Sequence, residues 1–280
     1  MNGPVRSTSG SFVHGGHRLV YDDLDGGGPL LVYLHGLLLD ADLNRDVARA
    51  LAARGNRVVL LDLLGHGRSD HPTHASEYRI DGYAEQVVAL LDHLGVRRAA
   101  LGGLSLGANV SLFAAANHPE RVSGLIIEMP VMEWAVPAAA MLFVPMLLAA
   151  HYGRPVLSVT SALLGRLPRT SFGPLDSAIH AAAAHPDVIS SVLHGVLVGP
   201  VVPSVEQRRA IRAPTLVLAH THDLIHPFND ARNLASQLPS ARLVRAHSPL
   251  ELRLRPDRLT AELDHFLAEL WSDDAAAAAE

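Results

Sequence analysis

Short apolar runs of strand length recur along this chain of 280 residues and constrain its fold more than any other feature. They are residues 30–34, 58–61, 99–101, 125–127, 215–218 and 243–244. A strand of a parallel sheet is covered on both faces, so it is built from continuous rather than alternating apolar residues. The runs therefore predict a mostly parallel β-sheet.

Amphipathic helical patterns lie between the runs. One of them has its apolar stripe at Tyr83, Val87, Leu90, Leu91 and Leu94. Asp81 is its predicted N-cap and Gly95 its predicted end. A Gly15-Gly16 pair between two β-like segments predicts an antiparallel hairpin at the start of the chain. The alternation of strand and helix predicts an α/β fold: a doubly wound sheet with helices on both faces and a functional site at the carboxyl ends of its strands.

The alternation fails once, between residues 129 and 203, where apolar helix-like segments carry several prolines and no clear strand. We interpret residues 129–203 as a helical cap inserted into a core formed by residues 1–128 and 204–274. The alanine-rich end of the chain, residues 275–280, is predicted to be a disordered tail, a cloning remnant or a frayed helix end.

Composition and charge exclude several classes of function. A formal net charge of −5 provides no basic surface for phosphate backbones, so no nucleic-acid partner is expected. Without cysteine, the chain has no disulfide, thiolate metal site or cysteine nucleophile. Residues 1–11 are rich in glycine and serine and have no apolar signal-peptide core, which predicts a cytoplasmic protein. The most apolar run, residues 135–150, is too short to span a bilayer, so no stable membrane insertion is expected.

The segment Gly103-Leu104-Ser105-Leu106-Gly107 matches the G-x-S-x-G nucleophile elbow. Its glycines leave room for a strained turn that lifts the serine above the sheet. The context agrees, because an apolar run precedes the segment and a helical pattern begins at Leu106. Ser105 is therefore the predicted nucleophile.

A second segment, His35-Gly36-Leu37, directly follows the first of the apolar runs. A loop at that strand end can supply one N–H group of an oxyanion hole, and the residue after the nucleophile supplies the other. We assign the oxyanion hole to the backbone N–H groups of Leu37 and Leu106, and we interpret His35 as a structural turn residue. Residues 65–69 lack the spacing and the lysine of a phosphate-binding loop, so they predict a structural turn near the pocket.

Five segments follow one another in a characteristic order. They are His35-Gly36, Gly65-His66-Gly67-Arg68-Ser69, Gly103-Leu104-Ser105-Leu106-Gly107, His118-Pro119-Glu120-Arg121-Val122, and Pro214 to Asp223. On these segments the chain resembles the α/β-hydrolase superfamily, in its serine-nucleophile branch of esterase- and lipase-like enzymes with a cap. The resemblance implies a Ser-His-Asp triad in the chain order Ser, Asp, His, with no metal and no organic cofactor. A serine at position 105 argues against haloalkane dehalogenases and epoxide hydrolases, in which an aspartate occupies the elbow.

The resemblance assigns the acid of the triad to Asp223 and the general base to His247, which precedes the last helix. Glu128, at the end of an earlier strand, is the competing acid. The chain departs from the family's pattern at Ala246, because a glycine usually precedes the histidine. The alternative bases are His220, His222 and His226. These histidines could bind zinc together with Asp223, but their spacing is not that of an H-E-x-x-H motif, and no catalytic metal is expected.

The predicted function is a serine hydrolase that cleaves a carboxylic ester or lactone of a hydrophobic small molecule through an acyl-enzyme. Thioesterases, C–C bond hydrolases and perhydrolases use the same triad, and a non-catalytic small-molecule receptor on a hydrolase scaffold is the alternative from another class. Apolar side chains crowd the first part of the cap, which predicts an apolar chamber over Ser105. Pro137 and Pro145 are expected to break this part into short helices. The oligomeric state stays open.

Overall fold

The computed structural model of the chain describes residues 5–221, 223 and 225–279, with side chains as far as Ser272 in the last helix. The strands are β1 (Arg6–His14), β2 (His17–Asp25), β3 (Leu30–Leu34), β4 (Arg57–Asp62), β5 (Ala99–Leu104), β6 (Val122–Glu128), β7 (Thr215–Ala219) and β8 (Ala241–Arg245). The helices are α1 (Arg45–Ala52), α2 (Ile80–His93), α3 (Leu106–Asn117), α4 (Val136–Tyr152), α5 (Arg154–Leu164), α6 (Gly173–Ala183), α7 (Pro186–Val198), α8 (Val205–Ala210), α9 (Phe228–Gln237), α10 (Glu251–Leu254) and α11 (Asp257–Ala279). Short 3₁₀ turns lie at Ala41–Asn44, Ala75–Glu77 and Pro119–Arg121.

The strands form one sheet in the order β1-β2-β4-β3-β5-β6-β7-β8. β1 and β2 form the predicted hairpin and pair antiparallel, β2 also pairs antiparallel with β4, and the pairs from β4 to β8 are parallel. The chain winds outward in both directions from β3, with β4 on one side and β5 on the other. The doubly wound α/β fold predicted from the apolar runs is confirmed, and its strand order reverses between β3 and β5, where open α/β sheets bind their ligands.

The sheet is covered on both faces, which explains why its strands are apolar without alternation. All residues of β3 are buried. Val32 and Leu34 pack into the core that includes α2 and α3, whereas Leu31 and Tyr33 pack into the core that includes α1 and α11. Successive side chains of a strand point to opposite faces, so a strand between two helical layers buries every residue.

Two predicted helix ends differ from the structure. The N-cap of α2 is Arg79, and Asp81 lies in the first turn, where its carboxylate accepts hydrogen bonds from the Arg79 guanidinium at 2.7 and 3.0 Å. A carboxylate in the first turn still favours the positive end of the helix dipole. At the other end of the chain, α11 continues through Ala279, so the prediction of a disordered tail is wrong for residues 275–279. Alanine has the highest helix propensity, and the preceding helix already supplies the nucleus.

The segment between β6 and α8, predicted as the cap and called the insertion below (residues 129–203), contains α4 to α7. α4 packs on α7, and α5 packs on α6 and α7, while α6 and α7 in turn contact the 3₁₀ turns of the core. α4 is one helix rather than the predicted pair. Pro137 lies in its first turn, where a missing N–H group costs nothing, and Pro145 is exposed, so the carbonyl group that it leaves unpaired can face water.

No helix of the described chain has by itself the length and hydropathy of a membrane span. The pairs α4–α5 and α6–α7 reach those values only together, and they bend by 97° and 100°.

Candidate active site

Ser105 lies in a sharp turn between β5 and α3, at the point where the strand order of the sheet reverses. Its backbone has a φ of 53° and a ψ of −105°, a conformation that costs a non-glycine residue energy. A Cβ atom on Gly103 would lie 2.5 Å from the Leu34 carbonyl oxygen, and one on Gly107 would lie 2.7 Å from the same oxygen. Both glycines of the G-x-S-x-G segment are therefore required by the close approach of β3, and the predicted elbow is present.

The imidazole that contacts Ser105 belongs to His226. Its Nε2 atom is 3.0 Å from the Ser105 Oγ atom, and its Nδ1 atom is 2.8 Å from the Asp223 Oδ2 atom. An ionised carboxylate only accepts hydrogen bonds, so Nδ1 carries the proton and donates to Asp223. Nε2 is then the acceptor for the Ser105 hydroxyl. The three side chains form a serine–imidazole–carboxylate chain of hydrogen bonds.

Asp223 is fixed by its own loop. Its Oδ1 atom accepts hydrogen bonds from the backbone N–H groups of Ile225 at 2.8 Å and of His226 at 3.2 Å, and the Nε2 atom of buried His220 lies 3.2 Å from Oδ2. Burial raises the pKa of this carboxyl group, but the hydrogen bonds and the charge of His226 and the two backbone N–H groups outweigh burial and hold the pKa well below its usual range. Asp223 is therefore ionised at neutral pH.

The structure does not place His247 at the site. Its side chain is 76% exposed, its Nδ1 atom is 3.5 Å from a Glu251 carboxylate oxygen, and its backbone N–H group donates to the same carboxylate at 2.5 Å. The imidazole that the sequence analysis expected beside Ser105 is therefore that of His226, one of the three alternatives, and not that of His247. The physical reason is that His226 is held by the loop that carries the acid, three residues after Asp223. His222, another alternative, lies outside the described residues.

Glu128 contacts Tyr33 and Arg253 and does not contact an imidazole in the described part of the chain. Its carboxylate accepts a hydrogen bond from the Tyr33 hydroxyl at 2.8 Å and pairs with the guanidinium group of Arg253, which also donates to Asn44 at 2.6 Å. These groups are buried, and burial next to Glu128 raises the pKa of Tyr33 well above its usual range. Glu128 is therefore part of a buried ion pair between β6 and α10, and Asp223 is the one of these two acids that contacts a histidine.

Leu37 and Leu106 both border the space around Ser105. Leu106 is the first residue of α3, so its N–H group points out of the helix N-terminus with no intrahelical partner. Leu38, next to Leu37, has a φ of 62°, so the loop after β3 is as strained as the elbow. His35 is fully buried in that loop: it bonds to the Gly36 carbonyl oxygen and accepts from the Leu63 N–H group, which agrees with the structural role predicted for it.

Two cavities meet at Ser105. One, of about 250 Å³, extends toward Asp223 and His226. The other, of about 70 Å³, lies under α4 and is apolar apart from Ser105 and Asn109. Its lining residues are Leu37, Ile80, Ser105, Leu106, Asn109, Val131, Val136, Ala139, Phe143, Val196, Leu197 and Val201. Phe143 borders both cavities, so α4 roofs the serine with this aromatic side chain.

Asn109, which the sequence analysis did not single out, ties the insertion to the elbow helix. Its buried side-chain amide donates to the carbonyl oxygens of Val131 and Val201, both at 2.7 Å, and accepts from the Val131 N–H group at 3.2 Å. Val131 and Val201 lie at the two ends of the insertion. One residue, a single turn after Ser105, therefore holds both ends of the roof.

A larger, polar crevice of about 410 Å³ lies over β3 and β4 and does not include Ser105. Within it, Asp40, Asp42 and His180 bring one possible metal-ligand atom each within 4.8 Å of one another. These groups are already paired, because the His180 Nδ1 atom lies 2.7 Å from Asp40 and the Arg45 Nε atom donates to Asp42 at 2.9 Å. The cluster acts as an ionic contact between α6 of the insertion and the core.

Known proteins resemble this chain in sequence and in fold. The family model described as alpha/beta hydrolase fold matches residues 29–248. A dihydrolipoyllysine-residue acetyltransferase component of the acetoin cleaving system from Pseudomonas putida is 43% identical over 114 residues, which are 40% of this chain and 30% of that protein. A haloalkane dehalogenase from Mycolicibacterium paratuberculosis is 35% identical over 100 residues, which are 36% of this chain and 33% of that protein. The chain thus covers about a third of the length of these two relatives.

One solved structure resembles nearly the whole chain. The enol-lactonase from Burkholderia xenovorans LB400 superimposes with a TM-score of 0.73 at 24% sequence identity, covering 92% of this chain and 100% of that one.

Proposed function

The chain belongs to the alpha/beta hydrolase fold family, and on this premise we propose that it is a serine hydrolase that cleaves carboxylic esters or lactones. The observation that carries the proposal is the hydrogen bond between the Ser105 Oγ atom and the His226 Nε2 atom. The other ring nitrogen of His226 bonds to Asp223. A serine hydroxyl is a weak nucleophile at neutral pH unless an adjacent base takes its proton.

The proposed reaction has two steps. As the Ser105 oxygen forms a bond to the substrate carbonyl carbon, His226 takes the hydroxyl proton and Asp223 stabilises the resulting imidazolium. The oxyanion accepts hydrogen bonds from the N–H groups of Leu37 and Leu106. The carbon–oxygen bond to the alcohol then breaks, and the alcohol leaves with the proton from His226. Water repeats the sequence on the acyl-enzyme and releases the carboxylic acid.

A serine at the elbow also distinguishes this chain from haloalkane dehalogenases, one of which matches 36% of this chain and whose family has an aspartate there. A serine ester intermediate returns free serine when water attacks its carbonyl carbon, so esters and lactones suit this site. The apolar lining of the smaller cavity supports a hydrophobic small-molecule substrate. No metal or organic cofactor, no nucleic-acid partner and a cytoplasmic location remain parts of the same proposal.

A fluorophosphonate probe tests the nucleophile and the base together, because only a base-activated serine with an oxyanion hole reacts with it rapidly. We expect labelling of the wild type on the peptide that contains Ser105, and none in Ser105→Ala. His226→Ala should slow labelling by about a hundredfold to ten-thousandfold, the usual contribution of a general base. His247→Ala is the matched control and should react at the wild-type rate, since its ring is exposed.

Two outcomes would contradict the proposal. Absence of labelling in a wild-type protein with a cooperative thermal transition would remove Ser105 as the nucleophile. Normal labelling of His226→Ala together with unreactive His247→Ala would return the base to the histidine after β8. Hydrolysis of p-nitrophenyl esters and of lactones, measured beside thioesters, then identifies the class of bond.

A further inference from the structure

The insertion exposes an unusual amount of apolar surface. α4 has no Asp, Glu, Lys or Arg, and a stripe that includes Ala139, Phe143, Leu147 and Ala150 faces the protein. The large apolar side chains that point outward on this helix and its flanks are Trp134, Met141, Leu142, Val144, Met146, Leu148 and Tyr152. Most of the apolar side chains that predicted a roof over the chamber therefore face away from it.

The exposed surface continues onto α5. Val156, Val159 and Leu163 lie at helical spacing on one face of α5 and are 69%, 62% and 58% exposed. α4 and α5 pack on α6 and α7, which separate most of their length from the core. We call the exposed apolar side chains of residues 134–163 the outer face. A contiguous apolar surface of this kind marks an interaction site.

The charged residues within the segment that follows Trp134 are arginines, whereas Glu133 lies directly before it. Residues 135–175 contain Arg154, Arg166 and Arg169 and no acidic residue, although the chain has a formal net charge of −5. Arg154 pairs with Asp187 at 2.6 Å and Arg169 lies 3.7 Å from Asp42, whereas Arg166 is exposed and makes no ion pair with any described residue. The partner of this surface is therefore apolar and anionic.

Aromatic side chains lie at both ends of α4. Trp134 precedes the helix and Tyr152 is its last residue, and they are 76% and 77% exposed. Tryptophan and tyrosine favour the boundary between hydrocarbon and headgroups, where the ring is buried and its polar atom stays hydrated. An apolar helix with exposed aromatic side chains at both ends therefore suits a segment that lies at a membrane interface.

We propose that the outer face docks on the surface of an anionic phospholipid bilayer, with α4 and α5 in the interface and the sheet outside it. A second copy of this chain fits the surface less well, because a two-fold contact uses the same surface on both copies, and residues 135–175 have no acidic side chain to pair with Arg166. Phe143 and Val136 of α4 also border the cavities at Ser105, so docking would bring the roof of the chamber next to the lipid.

Vesicle flotation tests the docking independently of catalysis, because Ser105→Ala should bind as the wild type does. We expect binding to phosphatidylcholine vesicles that contain phosphatidylglycerol and much weaker binding to phosphatidylcholine alone. Met141→Asp should weaken binding by at least about tenfold, since it removes an inserted apolar side chain. Val13→Asp is the matched control, because Val13 is 72% exposed on the distant hairpin and should leave binding unchanged. Arg166→Gln should cost about fivefold on anionic vesicles.

Trp134 reports the contact directly, because the chain has two tryptophans and Trp271 is bonded to Asn56. In Trp271→Phe, we expect the emission to shift to shorter wavelength with anionic vesicles and to be quenched by brominated lipid. Equal binding by Met141→Asp and wild type would overturn the proposal. So would a dimer by sedimentation that Met141→Asp dissociates, without vesicle binding, because the outer face would then be a subunit interface.

Discussion

At the scale of single residues, the proposed mechanism depends most on Asp223, which contacts His226 and would balance the imidazolium that forms during attack. Its carboxylate accepts hydrogen bonds from one imidazole and two backbone N–H groups. Glu128, the competing acid, balances Arg253 instead. The two acidic residues, which follow neighbouring strands, thus have different partners. Substitution of each one distinguishes their roles.

We expect Asp223→Asn to lower kcat by about four orders of magnitude, because the imidazole loses its tautomer and orientation. Glu128→Gln is the comparison variant and should keep the Ser105–His226 contact and most of the activity per folded molecule. It should nevertheless unfold more easily, by about 3 kcal/mol, because Arg253 would be left as an uncompensated buried charge. Steady-state kinetics and urea unfolding measure both effects. Inactive Glu128→Gln beside active Asp223→Asn would reassign the acid.

The lowered pKa of Asp223 predicts how the stability of the protein depends on pH. The pKa of Asp223 in the folded protein is below its value in the unfolded chain, about 3.9. The folded state therefore gains stability from the ionised carboxylate above that pH and loses the gain as the pH falls through the lower, folded pKa. The Tm of the wild type should exceed that of Asp223→Asn at pH 7, and the difference should shrink as the pH approaches 3. A difference that grows on acidification would show that the pKa is raised instead.

At the scale of elements, α4 has two faces with different surroundings. The inner stripe that includes Phe143 closes the cavities at Ser105, and the opposite side faces outward. The cavity under α4 measures about 70 Å³. It is much smaller than the cavity of about 250 Å³ beside it, so it suits a short acyl chain.

This volume predicts the preferred acyl length. For p-nitrophenyl esters, kcat/KM should rise by about fourfold for each methylene from acetate to butyrate, and fall for longer chains once the cavity is full. Phe143→Ala joins the two cavities and should move the optimum to a longer chain. Met141→Ala, on the outward side of the same helix, should keep the wild-type profile. A profile that is flat or falling from acetate onward would place the acyl group elsewhere.

At the scale of the whole molecule, the insertion contacts the core at several places, and Asn109 holds both of its ends. Asn109→Ala removes three hydrogen bonds and leaves backbone groups of Val131 and Val201 unpaired, at about 1–3 kcal/mol for each group that stays buried. We expect faster hydrogen exchange across the insertion and a lower Tm. Ser111→Ala is the matched control, because this buried hydroxyl bonds only to Gly107 of its own helix. Equal exchange in both variants would show that Asn109 does not hold the insertion.

Local sequence patterns were sufficient to predict the strands of the sheet and the turn that carries Ser105. Every predicted apolar run lies within a strand, because a strand between two helical layers must be apolar at each position. Gly103 and Gly107 identified the elbow, since only glycine tolerates the approach of β3 to within 2.7 Å of a Cβ position. These features depend on neighbours in the sequence or on the requirements of one type of structure, so the residues alone express them.

Other features were decided by tertiary structure. The histidine that meets Ser105 is 121 positions away in the chain, and only the folded loop brings His226 rather than His247 to the hydroxyl group. The sequence feature that pointed to His226 was its position three residues after Asp223 in the same loop. The composition of residues 129–203 likewise determined that the insertion is apolar but not which way its side chains point. Both outcomes depend on contacts between distant segments, and the free energy of those contacts is not encoded in any local stretch of sequence.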